Sequence, residues 1–360
     1  MPKNIVICID GTSDFAAERP THVFRLFKSL ERSSAQLCYY DGGIGTLRDS
    51  SPVTKTWEKF LQKLDLAVAT SIHRSFKEAY RFLVNNYEAG DRIFLFGFSR
   101  GAYTVRMLAG AIKLFGILHP EQENIIPYVW QTFHDLGDSD DADEMWAGIG
   151  RMKSAFGRSA DVAYLGAWDT VSSVGFIKVK VYPQTYKLSA VSHVRHAVAI
   201  DERRNMFPPN KIALDQPGHY ECWFSGVHRD IGGGGSAEAL NLSMIPFRWV
   251  IDGALVEGLR LDQDKVSKMF EITPDSCGKD NSNKLVVIAF SLLSLIPMKS
   301  WNHRKKRFSW KWLSNWVWTR NVPDGAWVHP SVKERLNCPA INYTPKNLNI
   351  ESVQVGEPGE

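Results

Sequence analysis

Ile93-Phe94-Leu95-Phe96-Gly97-Phe98-Ser99-Arg100-Gly101-Ala102 is the stretch whose reading decides the fold. Four apolar residues in a row suit a strand buried on both faces, and Ala102, Val105, Leu108, Ala109 and Ile112 follow at helical spacing. Between strand and helix, glycines stand two before and two after a serine. A strand-to-helix turn that tight leaves no room for side chains at those positions and holds the serine in a strained conformation with its hydroxyl presented. The stretch predicts strand, elbow and helix, with Ser99 as candidate nucleophile. The bland alternative is a serine capping a helix in a nucleotide-binding turn, which Gly97 and Gly101 also permit.

Outward from this point, other short β-branched or apolar runs end in small and acidic residues. Residues 5–9 end at Asp10-Gly11-Thr12, 37–40 at Asp41-Gly42-Gly43, 162–168 at Asp169-Thr170 and 197–200 at Asp201-Glu202, while 222–224 lead into Gly226-Val227-His228. Helix-like stretches separate them, which is the α/β pattern. Residues 57–87 carry Phe60, Leu64, Val68, Ile72, Phe76 and Tyr80, about one apolar residue per turn, and read as one long helix or two. Functional residues in parallel sheets gather beyond the carboxyl ends of the strands, so these six ends are where a site belongs.

A chain of 360 residues, 44% hydrophobic and 23% charged, can bury a sizeable core. A single catalytic domain is expected over residues 1–348, with a disordered tail over 349–360. The net charge of +4 is too mild to imply nucleic acid, and no nucleic-acid-binding signature occurs. Five scattered cysteines (Cys8, Cys38, Cys222, Cys277, Cys338) show no C-x-x-C pair, so neither a disulfide framework nor a structural zinc site is expected, and a reducing compartment fits them. Met1-Pro2-Lys3-Asn4 runs straight into the first strand, leaving no room for a signal peptide. The expected location is the cytoplasm of the producing cell, with any export following another route.

A serine hydroxyl needs a histidine to take its proton, and that histidine needs a carboxylate to hold its tautomer. In elbow enzymes of the α/β-hydrolase fold the chain order is serine, acid, histidine. Of the histidines after Ser99, only His228 directly follows a strand-like run and precedes a glycine-rich turn; His329, in Trp327-Val328-His329-Pro330, is its rival. Asp169 and Asp201 both end strand-like runs in the right interval. Asp169 lies in the less charged setting, whereas Asp201 precedes Glu202-Arg203-Arg204 and also suits a structural ion pair. For the oxyanion, the backbone N–H of Arg100 is one candidate donor and the Gly11-Thr12 turn a source of the second; a plain turn is the alternative there.

Taken in order, Asp10-Gly11-Thr12, Tyr40-Asp41-Gly42-Gly43-Ile44-Gly45, the Ser99 elbow, Trp168-Asp169-Thr170-Val171, residues 196–203, residues 223–234 and His329-Pro330-Ser331-Val332 resemble the α/β-hydrolase family of type VI secretion phospholipase effectors and its uncharacterised relatives. The resemblance spans residues 10 to about 348. It implies a Ser-Asp-His triad on Ser99, Asp169 and His228 acting on glycerophospholipid esters, without metal or organic cofactor, and an immunity or secretion component as protein partner. One departure is Ser13-Asp14, where relatives often have Trp-Asn.

Half of the twelve tryptophans fall within 301–327, among Lys299, Arg304, Lys305, Lys306, Arg307 and Lys311. Tryptophan favours the headgroup level and basic residues favour anionic lipid, so 285–327 is a candidate lipid-facing insertion making peripheral membrane contact. A core helix followed by a solvated basic loop explains it equally well. Residues 285–298 are apolar but shorter than the roughly 20 residues of a spanning helix and are interrupted by Ser291, Ser294 and Pro297. The expectation is a serine esterase acting on phospholipids. The alternatives are a soluble carboxylesterase or thioesterase, or a catalytically silent module that binds lipid or a partner.

Overall fold

Ile5, Ile7 and Ile9 alternate with Val6 and Cys8 along the first strand, and all five are buried. Side chains on a strand point to opposite faces in turn, so a strand apolar at every position must be covered on both sides. The isoleucines join a core with Ile93 and Leu95, while Val6 and Cys8 join a second core with Phe94, Phe96 and Phe98. Two separate cores back to back across one sheet is the architecture that results.

The computed structural model describes residues 2–11, 20–43, 57–136, 142–171, 182–204, 209–282, 298–302, 307–311 and 320–359. In chain order they form β1 (Asn4–Ile9), α1 (His22–Ser29), β2 (Gln36–Asp41), α2 (Trp57–Asn86), β3 (Arg92–Phe98) and α3 (Arg100–Phe115). Next come β4 (Ile117–Leu118), α4 (Ile126–Asp135), α5 (Ala142–Phe156), β5 (Gly157–Arg158), β6 (Val162–Trp168), β7 (Val191–Ala199) and β8 (His219–Phe224). The remainder is α6 (His228–Gly232), α7 (Leu240–Val256), α8 (Gln263–Met269), β9 (Met298–Asn302), β10 (Arg307–Lys311), β11 (Trp327–Val328), α9 (Pro330–Leu336) and β12 (Gln354–Val355). Residues 57–86 are thus one helix, not two.

Among the described residues the main sheet runs β12-β11-β8-β7-β6-β3-β1-β2, and every pairing in it is parallel. All its strands therefore deliver their carboxyl ends to one rim. Helices α2, α3 and α4 cover one face through Phe76, Val105, Leu108 and Phe133. On the other face lie α1, α7 and α8, with Leu26, Phe247, Val250 and Met269. Each fully buried large apolar side chain contributes about 1.5–3 kcal/mol, so the two faces together hold the rim rigid. The fold is α/β, a parallel sheet flanked by helices.

Two expectations need correction. Residues beyond 348 are not a loose tail: β12 pairs in parallel with β11 and Glu357 reaches His329 Nε2 at 3.0 Å. The cysteines are not all reduced either, since Cys277 and Cys338 form a disulfide, while Cys8, Cys38 and Cys222 are free. Sixty-one positions separate that pair in sequence, and only the docking of α9 beside residues 275–282 brings the two together. Most of the apolar and tryptophan-rich insertion lies outside the described residues. Within it, β9 and β10 pair antiparallel, placing Trp301 opposite Phe308. Among the described residues no helix is long and apolar enough to cross a membrane.

Candidate active site

β3 leads straight into Ser99, whose backbone sits at φ 57° and ψ −121°. A non-glycine residue pays strain there, and it persists only where the surroundings dictate it. They do so by closeness. A Cβ on Gly101 would lie 2.1 Å from the Ile9 carbonyl oxygen and 2.5 Å from that of Asp10, and one on Gly97 would lie 2.5 Å from the Ala102 nitrogen. The turn is then pinned by hydrogen bonds: Ser99 N–H donates to the Trp168 carbonyl (3.0 Å), and the Ser99 carbonyl accepts from Tyr103 N–H (3.3 Å).

Asp169 follows β6, also at positive φ (40°), and His228 follows β8 as the first residue of α6. β6 is the neighbour of β3 in the sheet and β8 lies beyond β7, all with their carboxyl ends on one rim, and the three side chains meet there. His228 Nε2 lies 2.9 Å from Ser99 Oγ, and His228 Nδ1 lies 2.5 Å from Asp169 Oδ2. With Asp169 ionised, Nδ1 carries the proton and Nε2 is left to accept the serine hydroxyl. The Phe98 ring packs against the imidazole at 4.6 Å between centroids. All three polar side chains are nearly or wholly buried.

Sequence reasoning missed Arg320. Its Nη1 reaches Asp169 Oδ1 at 2.5 Å and its Nη2 reaches Oδ2 at 3.0 Å. Ala199 N–H donates to Oδ1 as well (3.0 Å). Burial alone pushes the Asp169 carboxyl up, but the Arg320 charge and the hydrogen bonds from His228 and Arg320 outweigh it and hold the group well below the usual carboxylate range. Nothing local in the sequence around Arg320 signals this contact.

The turn carrying His228 is held by three carboxylates acting on three successive amides. Gly226 N–H donates to Asp201 Oδ2 (2.6 Å), Val227 N–H to Asp230 Oδ2 (2.8 Å) and His228 N–H to Glu202 Oε2 (3.2 Å). Asp201, the alternative acid, thus holds the turn and also accepts the Tyr343 hydroxyl (2.9 Å), while the His228 ring faces Asp169. His329, the alternative base, is elsewhere. It caps α9, accepting from Ser331 N–H at 3.2 Å, and stacks on Phe224, beyond β8 at the far side of the sheet from β3. Another missed group orients the acid's own turn: Thr170 N–H donates to His196 Nε2 (3.2 Å), and His196 Nδ1 faces Glu221 at 3.0 Å.

Of the expected oxyanion donors, Arg100 opens the sixteen-residue α3 immediately after Ser99, at the positive end of that helix. Gly11 N–H is directed at Asp10 Oδ1 (2.9 Å), so in this geometry it faces its own neighbour. Thr12 lies outside the described residues. The arrangement as a whole couples a hydroxyl, an imidazole and an ionised carboxylate beside a helix N-terminus, which is what nucleophilic acyl transfer requires.

The yeast Saccharomyces cerevisiae has a similar protein, the uncharacterized YEL023C, 36% identical over 217 residues that make up 57% of this chain and 32% of that protein. Two solved structures are similar in part. An uncharacterized protein from Pseudomonas aeruginosa aligns with 82% of this chain and 53% of its own at 16% identity and a TM-score of 0.44. The Tle1 effector bound to the VgrG spike of the type 6 secretion system aligns with 65% of this chain and 51% of its own at 19% identity and a TM-score of 0.34. The chain therefore spans about a third of the yeast relative's length and about half of each solved chain. Residues 3–253, which include Ser99, Asp169 and His228, match the model of the type VI secretion system phospholipase effector Tle1-like catalytic domain, and the chain belongs to that family.

Proposed function

We propose that this chain is a serine esterase that hydrolyses carboxylic esters of glycerophospholipids. The observation that carries the proposal is the unbroken line from Ser99 Oγ to His228 (2.9 Å) to Asp169 (2.5 Å) on a strained elbow. Ser99 Oγ attacks the ester carbonyl carbon as His228 Nε2 takes its proton. Arg100 N–H and the α3 dipole stabilise the oxyanion. The tetrahedral intermediate collapses, the C–O bond to the alcohol breaks, and His228 returns the proton to the leaving oxygen. Water then attacks the acyl-Ser99 ester, giving its proton to His228, and the fatty acid departs as Ser99 recovers its hydrogen. Asp169 stays ionised and stabilises the imidazolium in both halves.

Family membership supports a phospholipid over a small soluble ester, and the tryptophan- and lysine-rich stretch 299–311 supports lipid contact by composition. Incubation with a fluorophosphonate should modify Ser99, located by mass spectrometry. Absence of that adduct under conditions that label known esterases overturns the proposal. Phospholipid vesicles should be cleaved in preference to short water-soluble esters, and the reverse preference assigns the site to a soluble esterase. Asp169→Asn should lower turnover by about four orders of magnitude, the scale seen when a triad loses its orienting acid.

A further inference from the structure

Asp169 is wholly buried, and its Oδ2 faces His228 Nδ1. Burial drives a carboxylate in that position toward its protonated form, and the hydrogen bond from one imidazole N–H offsets only part of the lost hydration. Arg320 changes that balance. Its guanidinium, equally buried, meets both carboxylate oxygens with two nitrogens, the parallel fork that only arginine makes, and Nη1 also donates to the Ala199 carbonyl (3.2 Å). Arg320 is itself fastened into the rim. Asn347 Nδ2 donates to its carbonyl (2.5 Å) and to that of Ile200 (2.9 Å). Arg320 and Asn347 both lie outside the region matched to the family, residues 3–253.

We propose that Arg320 is a positioning residue of this site, acting through Asp169 by fixing the plane and the charge of the carboxylate that orients His228. The inference rests on the esterase reading of Ser99. The charged and titratable groups facing the pair come from several elements. Glu202, at the exit of β7, accepts the His228 N–H and is paired with Arg204; His196 on β7 touches the Asp169 turn through Thr170; Asp230 on α6 faces Val227 instead. Among the described residues Arg320 is the Lys or Arg side chain that contacts Asp169 directly. Its removal acts twice in one direction: Asp169 is easier to protonate, and the imidazolium of His228 loses a repelling neighbour. Both effects push the acidic limb of activity to higher pH.

The test compares the full-length wild type with Arg320→Gln and Arg320→Lys, each labelled with 15N-histidine. His228 titration is followed by NMR, and kcat/KM for a short-chain aryl ester is measured across pH. In Arg320→Gln the His228 midpoint and the acidic limb should rise together by about one unit. Arg320→Lys keeps the charge without the fork and should move them less; if the glutamine variant does not fold, this variant decides. On an Asp169→Asn background Arg320→Gln should cost no further activity. Unmoved midpoints and limbs in a folded variant overturn the proposal and leave Arg320 a structural ion pair. A wild type with no fluorophosphonate adduct at Ser99 and no ester turnover refutes the esterase reading instead, and the NMR titration still separates the two failures.

Discussion

Asp201 carries a cost that Asp169 escapes. Burial pushes its carboxyl up to about 6, with the charge of Asp280 adding to the rise, while the bonds from Gly226 N–H and Tyr343 and the charge of Arg335 pull the other way. Its folded value therefore lies above the unfolded value near 4. The stability it contributes is complete below about pH 4 and is lost as pH rises through about 6. Asp201→Asn keeps an acceptor for Gly226 N–H and the tyrosine hydroxyl but cannot ionise. Between about pH 4 and 7 the wild type should lose stability relative to this variant by on the order of 2–3 kcal/mol, read from urea unfolding at each pH. Parallel pH profiles for the two proteins would refute this account of the residue. At this scale the meeting of Ser99, Asp169 and His228 is legible in sequence because each stands at or just beyond the end of a strand-like run, whereas that of Arg320 is not: it follows a tryptophan-rich stretch and contacts a carboxylate 151 positions away.

At Gly101, helix α3 meets the end of β1 backbone to backbone. A methyl at Gly101 would collide with the Ile9 and Asp10 carbonyl oxygens, which cannot yield without disturbing the sheet. Gly101→Ala should cost at least about 3 kcal/mol, the upper end for overpacking. Gly150 in α5 makes the contrast, since a Cβ there meets nothing within 4 Å. Gly150→Ala should be neutral or stabilise by up to about 1 kcal/mol through helix propensity, both variants being compared by urea midpoint. If the two behave alike, close backbone approach is not what holds the elbow. Elements were legible where composition was unmixed. The run 162–168 is β6 to the residue, but β7 begins at Val191, well before the apolar run at 197, because Arg195 and His196 look like surface residues. Their burial depends on partners remote in sequence: Arg195 lies over the Trp249 ring (5.1 Å) and donates to its carbonyl (2.6 Å), and His196 faces Glu221.

Across the whole molecule, the sheet edge beyond β8 is built from two two-residue strands, too short to leave a periodic trace in sequence. Their stability is collective. Gln354 N–H donates to the Ala326 carbonyl (2.9 Å), Gly356 N–H to that of Val328 (3.0 Å), and Glu357 pairs with His329. Removing residues 349–360 should therefore destabilise the protein by about 2–3 kcal/mol, taking about 1 kcal/mol for each backbone bond and less for the contact of Glu357 with His329, whose imidazole burial pushes down to about 4 and so leaves largely uncharged near neutral pH, measurable by thermal unfolding. An unchanged melting temperature would mean that the edge strand adds nothing.

The Cys277–Cys338 bond closes a loop that contains β11 and stops short of β12. Everything between the two cysteines, the tryptophan-rich stretch and Arg320 included, is a closed ring on the covalent map. A protease that nicks the ring once opens it without releasing a fragment: the two pieces migrate as one until a thiol reductant is added, and Arg320 stays leashed to the body that holds Asp169.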